Sequence, residues 1–468
     1  MYISAAVISL TLALGTGEVS GHRGCGGHEV AKRNPGGPVI RNAAELQSLQ
    51  SRQLVQRQVT DEASAAQSTD PSTECTAYSY QTVTDIKSSF PTIWETATLV
   101  DGDTEAASLF ATVNSTVNSK VPNIKPKGTS TGNFSGVGYN ATDPDCWWTW
   151  RQCTTPASSL GINDDHTTVP EPDTWGLGFD DGPNCSHNAF YDYLRDQGQK
   201  ATMFYIGSNV MDWPLQAQRG LQDGHEICIH TWSHQYMTSF SNEQAFAELY
   251  YTRKAIKEIL GVTPTCWRPP YGDVDNRIRV IAQGLNLTNY VWSDDSEDWR
   301  AGAAGSNVTE ADVTANYQSV IKKASDGTYA SSGPMVLTHE LTNFTMSEFI
   351  SQYSAIKAAF KYVVPLASAF NTTQPYTETN VTYPDFLTYT NQSSSASASG
   401  ASTTSGASAS ASGVTTSASG TTTSASGSAS SGTSNTSSNA KSSATARFTI
   451  DLFLGSFVVA ILGYASLV

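Results

Sequence analysis

The chain is predicted to be an α/β protein built on a parallel sheet, either open or closed into a barrel. Two observations carry that expectation. From Trp175 to about Ser368, short apolar runs alternate with amphipathic helical patterns. In addition, several apolar runs are followed directly by acids and histidines. In a parallel sheet, catalytic groups gather at the carboxyl ends of the strands.

The predicted strands are, in order, Trp175–Phe179, Ala201–Ile206, Glu226–Ile229, Tyr290–Trp292, Met335–Leu337 and Tyr362–Leu366. Among the helical patterns between them is "NEQAFAELYYTRKAIKEIL". There Phe246, Leu249, Tyr250, Ile256 and Leu260 recur at three- and four-residue spacing and define one apolar stripe.

The flanks have different compositions, and they divide the 468 residues into six expected parts. Residues 1–20 hold the apolar run "ISAAVISLTLALG", the pattern of a secretory signal. Residues 21–72 are Gly-, Gln- and Ser-rich and read as a disordered linker or pro-segment, with Lys32-Arg33 either a dibasic processing motif or, the commoner meaning of two basic residues, a solvated charge pair. Residues 73–168 are aromatic but irregular, including "DCWWTWRQC", and read as a collar packed on the catalytic domain. That domain is expected over residues 169–385. Residues 391–446 collapse to Ser, Thr, Ala and Gly and read as an O-glycosylated stalk. Residues 447–468 are an apolar tail after a small-residue stretch, the signal for a glycosylphosphatidylinositol anchor. The attachment residue is sought among Gly432, Asn435, Ser438 and Asn439.

Secretion agrees with eleven N-x-Ser/Thr sequons, at Asn114, Asn133, Asn140, Asn184, Asn286, Asn307, Asn343, Asn371, Asn380, Asn391 and Asn435. Seven cysteines in an oxidising compartment imply disulfides with one residue left over, and Cys146–Cys153 is a local pairing. The net charge of −15 and the lack of a basic patch exclude nucleic-acid binding. A neutral or cationic polymer suits that charge better.

The chemistry lies in five segments. In "FDDGP", Asp180 and Asp181 follow the first apolar run. In "HTWSH", His230 and His234 follow the third, and a helical turn there would put both imidazoles on one side, within reach of one ion. One carboxylate of the Asp pair completes a His-His-Asp site with open positions for water and substrate, and the other is left as a general base. "RPPYG" offers Arg268 to hold that base in one orientation. Its prolines leave few backbone donors, so the amide of Tyr271 is a candidate for an oxyanion. "DSEDW" and "LTHE" add Asp295, Asp298, Trp299 and His339, where a protonated His339 tuned by Asp298 can serve as general acid.

These five motifs, in this order and spacing, resemble those of the polysaccharide deacetylase family (carbohydrate esterase family 4, the NodB-homology domain), and within it the fungal chitin deacetylases. The resemblance implies a distorted (β/α) barrel, usually of fewer than eight strands. It implies Asp180 as the base, with Asp181, His230 and His234 binding one divalent metal, Zn2+ or Co2+. Arg268 would orient Asp180, and Tyr271 would help bind the acetyl oxygen. His339 would be the acid, tuned by Asp298, and Trp299 and Leu337 would line the pocket for the acetyl methyl. Glu340 stands where many members have Asp, at a position that is not a metal ligand. Cys228 and Cys266 each precede a motif by two residues, so both would face one side of neighbouring strands and form a bridge or a buried thiol contact.

The implied partners are chitin or its oligomers, a membrane through the anchor, and cell-wall glucan or mannan. The implied place is the cell surface and cell wall. Two other readings compete. One keeps the fold but changes the substrate to partly deacetylated chitosan, acetyl xylan or peptidoglycan, the last disfavoured by the secretion and anchor signals. The other is a non-catalytic wall mannoprotein.

Overall fold

The computed structural model describes residues 60–391. The expected leader, Lys32-Arg33, Cys25, the stalk and the tail with Gly432, Asn435, Ser438 and Asn439 lie outside the described residues.

The first two strands are β1 Thr168–Val169 and β2 Thr174–Gly182, and β2 is buried at every position. Burial on both faces explains why it reads as a continuous apolar run rather than an alternation. Then follow β3 Thr202–Tyr205, β4 Glu226–Ile229, β5 Cys266–Trp267 and β6 Thr288–Asn289. The last four are β7 Asp294–Asp295, β8 Gly333–Pro334, β9 Val336–Leu337 and β10 Tyr362–Pro365. Six of them form one parallel sheet in the order β10-β2-β3-β4-β5-β6. β7 pairs with β9 in parallel, and single bridges from Met335 to Gly176 and from His339 to Asp180 bring that pair against β2. The result is a curled, incomplete barrel with helices around it, the distorted (β/α) barrel expected.

Alternation along the strands sorts the core. Met203, Tyr205, Ile227, Ile229 and Trp267 join the large cluster that the helices cover. Phe204, Cys228 and Cys266 face the other way, into a second cluster with Tyr290 and Val364. Cys228 and Cys266 thus meet across adjacent strands and are bridged.

Two boundaries differ from expectation. The run Tyr290–Trp292 is not a strand: β6 lies just upstream, and its ladder ends with the Tyr290 amide donating to the Trp267 carbonyl at 3.0 Å. β5 cannot extend further because Pro269 and Pro270 supply no N–H. Asp180 and Asp181 lie inside β2, just before its last residue Gly182, rather than beyond the strand.

The helix Asn242–Leu260 has the bounds its periodicity gave. A capping box from Ser241 and Gln244 starts it, and Gly261 at φ 83° ends it, a left-handed position suited to glycine.

The ordered collar begins earlier than expected. Asp61 and Asp70 cap the short helices Glu62–Ala65 and Pro71–Glu74. Asn188 Nδ2 then donates to the Ala65 and Ser68 carbonyls at 2.9 and 2.7 Å. Residues 60–72, assigned to the linker by composition, are therefore held to the helix Asn188–Asp196.

Cys75 and Cys185 form a bridge that the sequence pairing did not include, while Cys146–Cys153 is the local loop expected. The Cys75–Cys185 bridge ties the collar to the segment just after "DDGP" across a separation of 110 residues. Opening a loop of that size by Cys185→Ser lowers stability by about 2–4 kcal/mol. The check is the thermal midpoint under non-reducing conditions, where an unchanged midpoint would contradict it.

Candidate active site

All five motifs converge at the carboxyl ends of the strands. The cleft there is lined by Asp180, Asp181, His230, His234, Tyr271, Trp292, Asp295, Trp299, Leu337 and His339.

The two adjacent aspartates have different partners. Asp180 Oδ1 accepts from Arg268 Nη1 at 2.6 Å, with both groups buried. The Arg268 guanidinium also lies 4.1 Å from the centre of the Phe204 ring, so the cation is held by charge on one side and by a π face on the other. Asp181 faces the histidines: its Oδ1 is 3.3 Å from His230 Nε2 and 2.9 Å from His234 Nε2. Burial works against the Asp181 charge, and the two imidazoles outweigh it, holding its carboxyl well below the usual range.

The geometry of these three residues fits a cation. Their ligand atoms lie within 4.8 Å of one another, and Asp181 Oδ1 is buried without a hydrogen-bond partner. His230 Nδ1 lies 2.8 Å from the Arg268 carbonyl, which must accept from it. In the neutral ring this leaves the lone pair on Nε2, facing Asp181 and available to a cation. One carboxylate oxygen and two imidazole nitrogens suit a divalent ion of the zinc type.

The "HTWSH" turn is not helical, contrary to the condition set by its spacing. Thr231 and His234 adopt left-handed φ of 63° and 53°. Non-glycine residues pay in strain for such angles, which persist only where the surroundings over-determine them. The over-determining group is Glu248, fully buried in the helix Asn242–Leu260. It accepts from the amides of Trp232 (2.9 Å) and Ser233 (2.8 Å), from Ser233 Oγ (2.6 Å) and from the Ala97 amide of the collar (2.9 Å). Trp232 is further fixed by its Nε1 donating to the Thr92 carbonyl at 3.0 Å and by stacking on Phe90. Sequence reading missed Glu248, since an acid inside an amphipathic pattern reads as solvated. It stands off the predicted stripe, on a second side of the helix that is also buried, with Thr252, Ala255 and Ile259.

Opposite the aspartates, His339 Nδ1 lies 2.6 Å from Asp298 Oδ1, and the His339 amide donates to Asp298 Oδ2 at 3.0 Å. Burial disfavours the imidazolium. The Asp298 carboxylate more than offsets this, with Asp181 and Asp180 adding to it, and the His339 pKa rises to about 10. Asp295 also lines the cleft, and burial raises its carboxyl to about 7 even though the Glu297 amide donates to it at 2.7 Å. Trp299 and Leu337 are buried beside His339, and Tyr271 stacks on Tyr236 with ring centres 4.0 Å apart. Trp292 is a cleft residue that sequence reading placed only in a strand.

Glu340 points away from the cleft. Its Oε1 accepts from Tyr191 Oη at 3.2 Å and its Oε2 lies 3.6 Å from His187 Nδ1, while a Cβ on Gly182 would collide with its carboxylate. The sequon asparagines within the described residues are all exposed or half-buried. Asn184 is the most constrained, with Nδ2 donating to the Leu341 carbonyl at 2.7 Å.

A polysaccharide deacetylase family model matches residues 168–290. Chitin deacetylase 2 of Cryptococcus neoformans var. grubii is 61% identical over 386 residues, covering 82% of this chain and 80% of that protein. The chitin deacetylase of Amylomyces rouxii is 48% identical over 334 residues, covering 70% of this chain and 78% of that protein.

Proposed function

From the premise that the chain belongs to the polysaccharide deacetylase family, we propose that it is a metal-dependent chitin deacetylase. It hydrolyses the N-acetyl groups of N-acetylglucosamine units in chitin, leaving chitosan and acetate. The observation that carries the mechanism is the division of labour at the end of β2: Asp180 is paired with Arg268, and Asp181 with two imidazoles.

Asp181, His230 and His234 would hold one divalent ion, Zn2+ or Co2+, which supplies Lewis acidity and brings the pKa of a water to about 7. Asp180 takes the proton from the attacking water, and Arg268 keeps its carboxylate aimed at that proton. The Tyr271 main-chain N–H stabilises the acetyl oxygen as negative charge develops on it. His339, charged through Asp298, delivers a proton to the departing amine nitrogen as the C–N bond breaks. Trp299 and Leu337 receive the acetyl methyl in a dry pocket. The net charge of −15 favours a second substrate of the same kind, partly deacetylated and therefore cationic chitosan.

The disulfides and the fungal relatives support an extracellular protein. The signal, stalk and tail motifs extend this to a glycosylphosphatidylinositol-anchored protein of the plasma membrane and cell wall, with chitin beside glucan and mannan as its surroundings. The collar and catalytic domain together form the working unit, carried on the Ser/Thr-rich stalk.

The purified protein should release acetate from chitin oligomers, lose that activity with its metal on chelation, and regain both on addition of zinc or cobalt. Metal content measured alongside should approach one ion per chain. Acetate release that survives complete removal of metal would overturn the mechanism.

A further inference from the structure

Away from the catalytic cleft, Trp150 is the largest exposed ring among the described residues, at 47% exposure. It stands in the loop closed by the Cys146–Cys153 bridge, outside the residues that match the family model. Connecting loops are ordinarily polar and mobile at the tip. This one is locked in three ways. Arg279, itself buried, donates from Nη1 to the Cys146 carbonyl at 2.6 Å and from Nη2 to the Cys153 carbonyl at 2.8 Å. The buried Asp273 carboxylate accepts from Trp147 Nε1 at 2.8 Å and Thr149 Oγ1 at 2.6 Å. The Trp148 amide donates to the Val274 carbonyl at 2.9 Å, and its ring fills the space over Gly272, where a Cβ would collide with it.

The locked loop is continuous with the cleft. Trp148 packs on the cleft residue Trp292 with ring centres 4.8 Å apart. On the outer side, Trp150 lies parallel to Trp147 and edge-on to Tyr139. Trp147 then meets Phe134 at 5.1 Å, Phe134 meets Tyr236 at 5.4 Å, and Tyr236 stacks on Tyr271 in the cleft wall. One exposed ring among exposed polar residues, with Arg151 and Gln152 beside it, is far too small for a protein interface of about 800 Å² per partner. It does match the apolar C–H face of one sugar ring, with Arg151 and Gln152 able to donate to hydroxyls.

The geometry points to Trp150 as a remote stacking subsite, flanked by the half-buried Tyr139, for an N-acetylglucosamine ring of the same polysaccharide chain whose acetyl group occupies the cleft. The subsite rests on the deacetylase reading above. Because the ring is already fixed, binding a sugar there costs little ordering entropy, and the subsite selects long chains over short ones.

The test compares wild type with Trp150→Ala and Trp150→Tyr on chitin oligomers of increasing length and on insoluble chitin. Truncating an aromatic anchor should raise KM about tenfold for long oligomers and weaken binding to insoluble chitin similarly. Turnover number, activity on the shortest cleaved oligomer and the thermal midpoint stay unchanged, and Trp150→Tyr retains most of the affinity. Equal KM changes for short and long oligomers would overturn the subsite. So would no change on long ones, the result expected if the glycan on Asn140 covers the ring instead. Should wild type release no acetate from any oligomer, the deacetylase reading fails, and the chitin-binding isotherms of the two proteins still decide the subsite.

Discussion

Replacing Asp180 by Asn lowers acetate release from chitin oligomers by about 10² to 10⁴-fold, the contribution of a positioned general base. The substitution keeps the shape of the side chain. Its remaining oxygen can still accept from Arg268 Nη1, now 2.6 Å from Asp180 Oδ1. The amide nitrogen then occupies the other position, the one 3.8 Å from His230 Nε2, and has no lone pair to take a proton from water. Metal content should be unchanged, because Asp180 is not one of the three residues grouped for the ion. The same exchange at Asp181 should reduce metal content, which separates the two roles. Stability falls as well, since a buried cation loses its counter-charge. Removing one partner of a buried pair costs about 3–5 kcal/mol where nothing else compensates. Here the retained oxygen and the Phe204 face compensate in part, so the loss is smaller and the variant stays folded at assay temperature. A folded, metal-loaded Asp180→Asn protein with wild-type turnover would remove Asp180 from the mechanism.

The site residues were legible because catalytic chemistry depends on residue type, and type is what a sequence states. Two acids at the end of one apolar run, and two histidines after another, already bound the ligand set. Their roles were not legible from spacing: only the resemblance separated base from ligand, and the structure adds that Asp180 and Asp181 have different neighbours. The strand and helix alternation was legible for a related reason, since burial on both faces of β2 and the three- and four-residue spacing of large apolar residues along the helix Asn242–Leu260 leave a pattern. What stayed hidden is tertiary. The left-handed turn at Thr231 and His234 contains no glycine to announce it and exists because Glu248 and the collar grip it from a distance. The Cys75–Cys185 bridge joins segments whose proximity no local pattern records. Residues 60–72 have a linker-like composition, yet two Asp caps and the buried Asn188 hold them in place. The short β5 was legible in principle, because the prolines that stop it are visible in the sequence.

Asp298→Asn should abolish the charge on His339 at neutral pH and thereby remove the general acid. Two effects oppose each other at this imidazole. Burial favours the neutral form, and the Asp298 carboxylate against Nδ1 at 2.6 Å favours the cation. The carboxylate wins, raising the pKa from 6.5 to about 10. The positive charge of a bound cation draws that value down again, so the alkaline limb of kcat/KM should lie between neutrality and 10 in the wild type. Without Asp298, burial prevails over the weaker help from Asp180 and Asp181, and the limb moves below neutral. Turnover at pH 7 then falls by about 10²-fold or more, while activity recovers in part at acid pH, where His339 regains its proton. Folding is linked to the same proton. Because the folded-state pKa lies above the unfolded one, the Asp298–His339 pair stabilises the metal-free protein fully below pH 6.5. That stability is lost as the pH rises through about 10. In Asp298→Asn the loss disappears, so the difference in thermal midpoint between the two proteins should shrink from pH 6 to pH 10. An alkaline limb that stays in place in Asp298→Asn would mean that some group other than His339 supplies the proton.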